Sequence, residues 1–172
     1  MGFSQAAQPK GAGCEVARLQ RLTRYSVPYW YNCSTMALDP SMPVLVVDDY
    51  TTMVRIIRNL LRQLGFADVD DAHDGAAALA KMHSKRYGLV ISDWNMEPMT
   101  GFDFLREVRS DPELGATPFI MVTAESKTEN VIAARKAGVN NYIVKPFNAQ
   151  TLKAKIEAVF AKNDTSSEPS IA

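Results

Sequence analysis

The chain has 172 residues, of which 47% are hydrophobic, and its 19 basic residues balance 19 acidic ones. This composition is typical of a globular protein and excludes collagen-like and strongly charged disordered chains. The net charge of zero argues against nucleic acid as a partner, and no apolar run approaches the ~20 residues that a membrane span needs. The length fits one domain of roughly 100–150 residues with additional segments at its ends.

The two ends of the chain lack the patterns of folded elements. Residues 1–41 hold both cysteines and the run Tyr29-Trp30-Tyr31, but they show neither helical periodicity nor strand alternation, and they lack the apolar centre of a secretory signal. We therefore expect a cytoplasmic protein with reduced cysteines. Residues 1–41 are interpreted as a disordered arm or, the alternative we favour, as a segment that is not native to the protein. The polar residues 163–172 predict a flexible tail.

Strand-like and helix-like segments alternate between residues 42 and 162. The first strand is predicted at 44–47, and the apolar stripe from Met53 to Leu64 predicts a helix that ends at Gly65, a residue suited to the left-handed conformation after a helix. A weaker strand at 66–69 follows. The remaining elements are expected at 75–84, 89–91, 101–110, 119–122, 128–137, 142–144 and 149–161, with Gly138 ending the fourth helix.

Most of the predicted strands are continuously apolar rather than alternating. Such runs are typical of parallel strands that helices cover on both faces. Right-handed crossovers then restrict the possible topologies. We predict an α/β fold, a single flavodoxin-like domain over 42–162 with a five-stranded parallel sheet of order 2-1-3-4-5 and helices on both faces.

Polar residues follow four of the predicted strands: Asp48-Asp49, Ser92-Asp93, Thr123 and Lys145. Because the carboxyl ends of parallel strands share one edge of the sheet, these side chains are expected to converge. Like charges about 4 Å apart repel by roughly 4 kcal/mol at an effective dielectric constant of ~20, so three carboxylates need a cation, and oxygen ligands suit Mg²⁺. This predicts a phosphoryl-transfer site in which Asp93 attacks phosphorus while Mg²⁺, Lys145 and Thr123 stabilise charge.

Each of these residues alone has an ordinary structural explanation, since Asp after a strand commonly starts a turn or caps a helix. The prediction of chemistry rests on their convergence. A second group of acids, Asp68, Asp70, Asp71 and Asp74, follows the weak strand without basic or hydroxyl partners in the pattern. We interpret this group as loop acids and a helix cap.

Four short motifs, in this order, resemble the receiver domain of bacterial two-component response regulators. They are Val44-Leu45-Val46-Val47-Asp48-Asp49-Tyr50, Ser92-Asp93-Trp94-Asn95-Met96, Met121-Val122-Thr123-Ala124-Glu125 and Tyr142-Ile143-Val144-Lys145-Pro146-Phe147. The resemblance runs from about Met42 to Lys162. The second and third motifs are most similar to those of the single-domain chemotaxis regulators, the CheY-like group.

The resemblance implies a role for each matching residue at the strand ends. Asp93 is the expected phosphoacceptor for a chemotaxis-type histidine kinase, so the protein is expected to be a signalling phosphoacceptor that catalyses only its own phosphorylation and dephosphorylation. Lys145, whose bond to Pro146 is expected to be cis, and Thr123 would contact the phosphoryl group. The implied Mg²⁺ ligands are Asp48, mainly through a metal-bound water, Asp49, Asp93 and the backbone carbonyl of Asn95.

The resemblance also implies a switch and an output surface. Thr123 and Tyr142 are the expected switch pair, and the side chains of Asn95 and Glu125 are expected to tune dephosphorylation. The surface implied to bind a flagellar motor switch protein includes Ala124, Tyr142 and Lys155. A phosphatase is a further candidate partner.

Three alternatives remain open. A stand-alone receiver could shuttle phosphate in a relay outside chemotaxis, although Trp94 and Tyr142 favour chemotaxis. A Mg²⁺-dependent aspartyl phosphatase of the haloacid-dehalogenase type would need a second acid where Asn95 stands. A flavodoxin-type redox protein would need a hydroxyl- and glycine-rich phosphate loop after the first strand, where two acids stand.

Two residues beside the acceptor depart from the family pattern. Glu97 stands in place of a Pro, and Thr100 stands in place of an acid.

Overall fold

The computed structural model describes residues 39–124 and 128–161. Strands and helices alternate along this part of the chain, and the predicted boundaries of three helices are confirmed. The strands are β1 (Val44–Val47), β2 (Val69–Ala72), β3 (Leu89–Asp93), β4 (Phe119–Thr123) and β5 (Asn141–Val144), and the helices are α1 (Thr51–Gln63), α2 (Gly75–Ser84), α3 (Gly101–Ser110), α4 (Thr128–Lys136) and α5 (Ala149–Ala161).

The five strands form one parallel sheet in the order β2-β1-β3-β4-β5, as predicted. Every residue of β1, β3 and β4 is buried. Burial of successive residues requires cover on both faces, because neighbouring side chains point to opposite faces of a strand. The central strands therefore supply the core, and their carboxyl ends carry the polar residues.

The second strand lies further along the chain than the sequence predicts. The pattern indicates residues 66–69, whereas β2 spans Val69–Ala72. Phe66 is buried, but it lies in the turn after α1, where its backbone N–H donates to the carbonyl of Leu61 at 3.0 Å. Strand β2 carries Asp70 and Asp71 at the edge of the sheet, where a continuous apolar run is not required.

Helix α1 buries Ile57 and Leu61 of the predicted stripe, and it also buries Val54, which the stripe does not include. The predicted ends of the first and fourth helices are confirmed by backbone conformation. Gly65 and Gly138 have φ angles of +97° and +92°, a region that glycine adopts without strain. The chain can therefore leave each helix abruptly and enter the next strand.

Arg109 of α3 holds the amino ends of β4 and β5. Its guanidinium donates to the carbonyls of Gly115, Thr117 and Gly138 and to the side-chain carbonyl of Asn140, at 2.9–3.0 Å. Burial lowers the pKa of Arg109, but these hydrogen bonds replace the hydration that the cation loses. One half-buried cation therefore fixes the edge of the sheet opposite the polar strand ends.

No helix within residues 39–124 and 128–161 is long and apolar enough to cross a membrane. Most of the segment expected at 1–41, and all of the tail expected at 163–172, lie outside the described residues. The predicted domain is described from Met42 to Ala161, except for residues 125–127.

Candidate functional site

Asp48 follows β1 directly and is 1% exposed. Its Oδ1 accepts a hydrogen bond from the backbone N–H of Tyr50 at 2.8 Å, and its Oδ2 accepts one from Nζ of Lys145 at 3.2 Å. Burial raises the pKa of Asp48, and the hydrogen bond from Tyr50 and the charge of Lys145 offset only part of that rise. A further cation would therefore stabilise the charged form of this carboxyl group.

Asp93, the last residue of β3, is 6% exposed and shares Lys145 with Asp48. Its Oδ1 lies 2.7 Å from Nζ of Lys145, and its Oδ2 accepts a hydrogen bond from the backbone N–H of Asn95 at 2.8 Å. Burial disfavours the ammonium, but the hydrogen bond and charge of Asp93, with the charge of Asp48, outweigh burial and raise the pKa of Lys145. We name Asp48, Asp93 and Lys145 the buried cluster.

Strand pairing explains why residues so far apart in the chain meet here. Val47 pairs with Ser92, so Asp48 and Asp93 leave neighbouring strands at the same level. The backbone N–H of Lys145 donates to the carbonyl of Thr123 at 2.8 Å, which extends the pairing of β5 with β4. The parallel sheet therefore brings Asp48, Asp93 and Lys145 together.

Helix α3 begins in close contact with the end of β3. The backbone N–H of Gly101 donates to the carbonyl of Trp94 at 2.9 Å, and a Cβ at Gly101 would come within 1.9 Å of the carbonyl oxygen of Asp93. Thr100, a departure from the family pattern, caps α3 by accepting a hydrogen bond from the backbone N–H of Asp103. The α3 start therefore fixes the backbone that carries Asp93.

Two prolines near the buried cluster follow cis peptide bonds. The Lys145–Pro146 bond is cis, as the resemblance implies, and the Glu97–Pro98 bond is cis as well. The second is not expected from the sequence analysis. Glu97, the other departure from the family pattern, is exposed in the loop between β3 and α3, so its carboxylate adds negative charge at the surface near the cluster.

The other two expected metal ligands, Asp49 and Asn95, are exposed beside the buried cluster. Within the described ranges, no three His, Cys, Asp or Glu side chains are arranged to hold a metal ion. The donor chemistry nevertheless fits Mg²⁺, because two buried carboxylates share a single ammonium and Asp49 adds a third carboxylate. Oxygen donors with excess negative charge suit a hard divalent cation.

The expected switch residues lie around one small apolar cavity. Thr123 ends β4 and is buried, and the cavity beside it is lined also by Trp94, Met121 and Tyr142. Because the cavity adjoins both Thr123 and Tyr142, a displacement of one side chain changes the space available to the other.

Two cations flank the half-buried ring of Tyr142. Arg135 of α4 lies 5.9 Å from the ring centroid, and Nζ of Lys155 in α5 lies 5.1 Å from it. The sequence does not single out Arg135, because the residue that reaches Tyr142 depends on how α4 packs on the sheet. Ala124 is exposed, and Glu125 lies outside the described residues.

Three of the acids around β2, Asp68, Asp70 and Asp71, have basic or hydroxyl partners, so the sequence interpretation is wrong on this point. Nζ of Lys85 lies 2.7 Å from Asp68 Oδ1 and 2.9 Å from Asp70 Oδ2, and the hydroxyl of Tyr87 donates to Asp70 Oδ2 at 2.8 Å. These partners are 15 to 17 residues away in sequence, beyond the reach of a local pattern. We name Asp68, Asp70, Lys85 and Tyr87 the edge cluster.

The remaining acids of that group also act in the fold. Asp71 forms an ion pair with Arg58 of α1, a partner that the sequence does not indicate. Asp74 caps α2, because its Oδ1 accepts a hydrogen bond from the backbone N–H of Ala77 at 2.7 Å. The predicted helix cap is therefore confirmed.

Comparisons with known proteins establish the family. A family model of the response regulator receiver domain matches residues 44–157. The chain belongs to this family. It is 53% identical over 121 residues to the chemotaxis protein CheY of Pseudomonas aeruginosa, which covers 70% of this chain and 98% of that protein. It is 48% identical over 125 residues to CheY-3 of Vibrio cholerae, which covers 73% of this chain and 96% of that protein.

Solved receiver domains share the fold. CheY4 of Vibrio cholerae matches with a TM-score of 0.65 and 36% identity, over 69% of this chain and 98% of that chain. The receiver domain of a sensor histidine kinase from Pseudomonas aeruginosa, whose crystal structure has a magnesium ion coordinated in the active site cleft, matches with a TM-score of 0.64 and 26% identity, over 70% of this chain and 98% of that chain. The protein is a CheY-like receiver domain.

Proposed function

We propose that this receiver domain acts in the cytoplasm as a single-domain chemotaxis regulator that accepts a phosphoryl group from a histidine kinase on Asp93. The observation that carries the proposal is the position of Lys145, whose ammonium lies 2.7 Å from Asp93 Oδ1 and 3.2 Å from Asp48 Oδ2. The ammonium of Lys145 is therefore close enough to Asp93 to contact an oxygen of the phosphoryl group that Asp93 would carry.

The transfer step uses groups that the sheet brings together. A carboxylate oxygen of Asp93 attacks phosphorus in line, an O–P bond forms and the P–N bond of the phosphohistidine breaks. The electron pair of that bond stays on the ring nitrogen, and the imidazole leaves as a neutral ring when its other nitrogen carries a proton. Lys145 and the hydroxyl of Thr123 stabilise charge on the phosphoryl oxygens.

Mg²⁺ is the cofactor that we propose for this site. The carboxylates of Asp48, Asp49 and Asp93 and the backbone carbonyl of Asn95 would hold it, with Asp48 acting mainly through a metal-bound water. Bound Mg²⁺ neutralises charge on the carboxylates and on the phosphoryl oxygens. The raised pKa of Asp48, which burial causes, supports a need for positive charge here, as does the magnesium ion in the related kinase receiver domain.

Thr123 and Tyr142 are proposed to transmit the phosphorylation to the surface. The phosphoryl group draws the Thr123 hydroxyl towards it, and the ring of Tyr142 moves into the space that Thr123 leaves, so a local charge changes a two-state surface. That surface, which includes Ala124, Tyr142 and Lys155, would bind a flagellar motor switch protein. The two chemotaxis relatives, which the match spans almost completely, support this partner.

The lifetime of the phosphoryl group is proposed to depend on Asn95 and Glu125, and a phosphatase would act at the same place.

The alternative functions give different outcomes in experiments with the purified protein. A relay receiver would pass the phosphoryl group to another protein's histidine, and an aspartyl phosphatase would release phosphate over many turnovers. A pull-down with and without beryllofluoride, a phosphoryl mimic, separates a motor partner from a relay partner.

Asp93→Asn tests the acceptor directly. With acetyl phosphate and Mg²⁺, we expect the natural chain to gain an acid-labile phosphoryl group by intact-protein mass spectrometry and the Asp93→Asn variant to gain none. Chelation of Mg²⁺ by EDTA should abolish the labelling. Asp103→Asn is a matched control, because Asp103 is exposed in the first turn of α3, and it should label like the natural chain. Undiminished labelling of Asp93→Asn would move the acceptor elsewhere.

A further inference from the structure

Tyr50 breaks two local rules of protein structure beside the buried cluster. It occupies the N-cap position of α1, where Ser, Thr, Asp and Asn are preferred, and its side chain makes no capping hydrogen bond. Tyr50 is 68% exposed as a residue, and the next most exposed large hydrophobic residue of the described ranges, Ile132, is 48% exposed. Folding therefore gives no reason for an aromatic residue here, and such exceptions are expected at functional positions.

The backbone of Tyr50 is fixed relative to the proposed acceptor. Its N–H donates to Asp48 Oδ1 at 2.8 Å, and Asp48 Oδ2 lies 3.2 Å from the ammonium of Lys145. The same ammonium lies 2.7 Å from Asp93. The backbone carbonyl of Tyr50 accepts a hydrogen bond from the backbone N–H of Met53 at 2.8 Å. The exposed ring therefore projects from a rigid point on the edge of the sheet where Asp93 lies.

In-line attack determines where the leaving group must be. The attacking oxygen of Asp93 and the leaving group lie on opposite sides of phosphorus. Because Asp93 is almost fully buried, the leaving group must lie on the solvent side. Trp94, the aromatic residue next to Asp93, is half-buried, whereas Tyr50, which follows the neighbouring strand β1, is 68% exposed and is available to a group that approaches from solvent.

We propose that Tyr50 is a donor-specificity residue, whose ring stacks on the leaving imidazole of the incoming phosphohistidine. The inference rests on the proposed phosphorylation of Asp93. An imidazole is a flat aromatic ring, and offset stacking of two aromatic rings is favourable beyond the area that it buries. A small phosphodonor without a ring gains nothing from this contact, so Tyr50 favours histidine donors over small metabolite donors.

Two small donors with the same reacting bond isolate this contact. In monophosphoimidazole and in phosphoramidate, Asp93 forms an O–P bond while a P–N bond breaks and its electron pair stays on nitrogen. The first donor releases neutral imidazole when its distal nitrogen is protonated, and the second releases ammonia from its protonated amine. The ratio of the two second-order labelling rate constants therefore measures what the leaving ring contributes.

Tyr50→Ala removes the ring, and Tyr50→Ser removes it while supplying a preferred N-cap residue. We expect both variants to lower the ratio of the two rate constants by roughly three- to tenfold, the range that one aromatic pair supplies. The phosphoramidate rate should change less than twofold. Tyr50→Phe keeps the ring and should keep the ratio. Tyr50→Ser should unfold at a temperature at least as high as that of the natural chain, so a lower ratio cannot be attributed to a weakened fold.

The outcomes separate this inference from the proposal on which it rests. If neither donor labels the natural chain, phosphorylation of Asp93 fails and the inference with it. If both donors label the natural chain but the ratio is unchanged in Tyr50→Ala and Tyr50→Ser, the stacking role alone is overturned. A ratio that falls in Tyr50→Phe as well would assign the effect to the hydroxyl and would also overturn stacking.

Discussion

The buried cluster and the edge cluster both join two aspartates through one lysine, but they differ in exposure. The ammonium of Lys145 lies 2.7 and 3.2 Å from its two carboxylates, and that of Lys85 lies 2.7 and 2.9 Å from its pair. Distance therefore does not distinguish the clusters. The side chain of Lys145 is 21% exposed against 38% for Lys85, and the aspartates of the buried cluster are far less exposed than those of the edge cluster.

This difference in exposure gives the pKa values of Asp48 and Asp70 shifts in opposite directions. Burial raises the pKa of Asp48 despite the nearby ammonium. Hydrogen bonds from Lys85 and Tyr87 lower the pKa of Asp70, because burial is slight at the edge of the sheet. The edge cluster therefore stabilises the fold, whereas the negative charge of Asp48 in the buried cluster opposes folding, and perturbed carboxyl groups of this kind are typical of functional sites.

Lys145→Met should give the largest effect, because it leaves two buried carboxylates without their shared cation. Removing one partner of a buried ion pair costs about 3–5 kcal/mol, and the partial exposure of Lys145 places the expected loss at about 2–3 kcal/mol. Urea unfolding at pH 7 measures this change in the free energy of unfolding. The loss should shrink at low pH, since protonated carboxyl groups need no cation.

Lys153→Met is the matched control for that variant. Lys153 is exposed in α5 and lies 3.8 Å from Glu157 in an i,i+4 pair, an arrangement worth about 0.3–0.5 kcal/mol. A loss for Lys145→Met that is no larger than the loss for Lys153→Met would show that the buried ion pairs of Lys145 stabilise the fold no more than an exposed helix pair does.

Asp48→Asn is expected to stabilise the fold at neutral pH, although it removes one side of an ion pair. The amide keeps an oxygen that can accept the hydrogen bond from Tyr50 and removes a charge that burial disfavours. A gain of about 1 kcal/mol would raise Tm by roughly 4 °C in a domain of this size, which thermal unfolding can measure.

The pH dependence of that gain follows from the raised pKa of Asp48. The folded state binds this proton more tightly than the unfolded state, whose value is near 3.8, so this group adds stability as pH falls through its folded pKa. The gain in the free energy of unfolding from Asp48→Asn should be complete above the folded pKa of Asp48 and should disappear as pH falls towards 3.8. A lower Tm for Asp48→Asn at pH 7 would mean that the ion pair outweighs burial.

The sequence predicts the buried cluster better than the edge cluster, and the reason is geometric. Asp48 and Lys145 are 97 residues apart, but each follows a strand, and a parallel sheet aligns all strand ends. Lys85 follows a helix, so its approach to Asp70 depends on the register of β2 and on the path of the α2–β3 loop. Neither is encoded in a local pattern, and the buried Phe66 makes the pattern indicate β2 too early.

Side-chain packing sets the remaining limit of prediction from the sequence. The apolar run 142–144 predicts that Tyr142 lies in the fifth strand, but only the packing of α4 shows that Arg135 lies against its ring. The motif Asp48-Asp49 does not show which acid is buried, because that depends on how the chain turns into α1. Tyr50 ends the first motif, but the motif assigns it no role, and its unbonded N-cap position and its exposure show that it is exceptional.

Among the variants of the two clusters, Lys85→Met should give the smallest effect, and it tests the comparison from the exposed cluster. Its two ion pairs are partly exposed, so we expect a loss of about 0.5–1 kcal/mol that decreases further in 0.5 M NaCl, because salt screens surface charges. The lowered pKa of Asp70 means that its stabilisation is present above the unfolded value and is lost as pH falls through the folded pKa. The difference in the free energy of unfolding between Lys85→Met and the natural chain should therefore decrease on acidification. The contribution of Asp48 to that free energy should rise instead. A loss for Lys85→Met that is above 2 kcal/mol and insensitive to salt would show that the edge cluster behaves as a buried one.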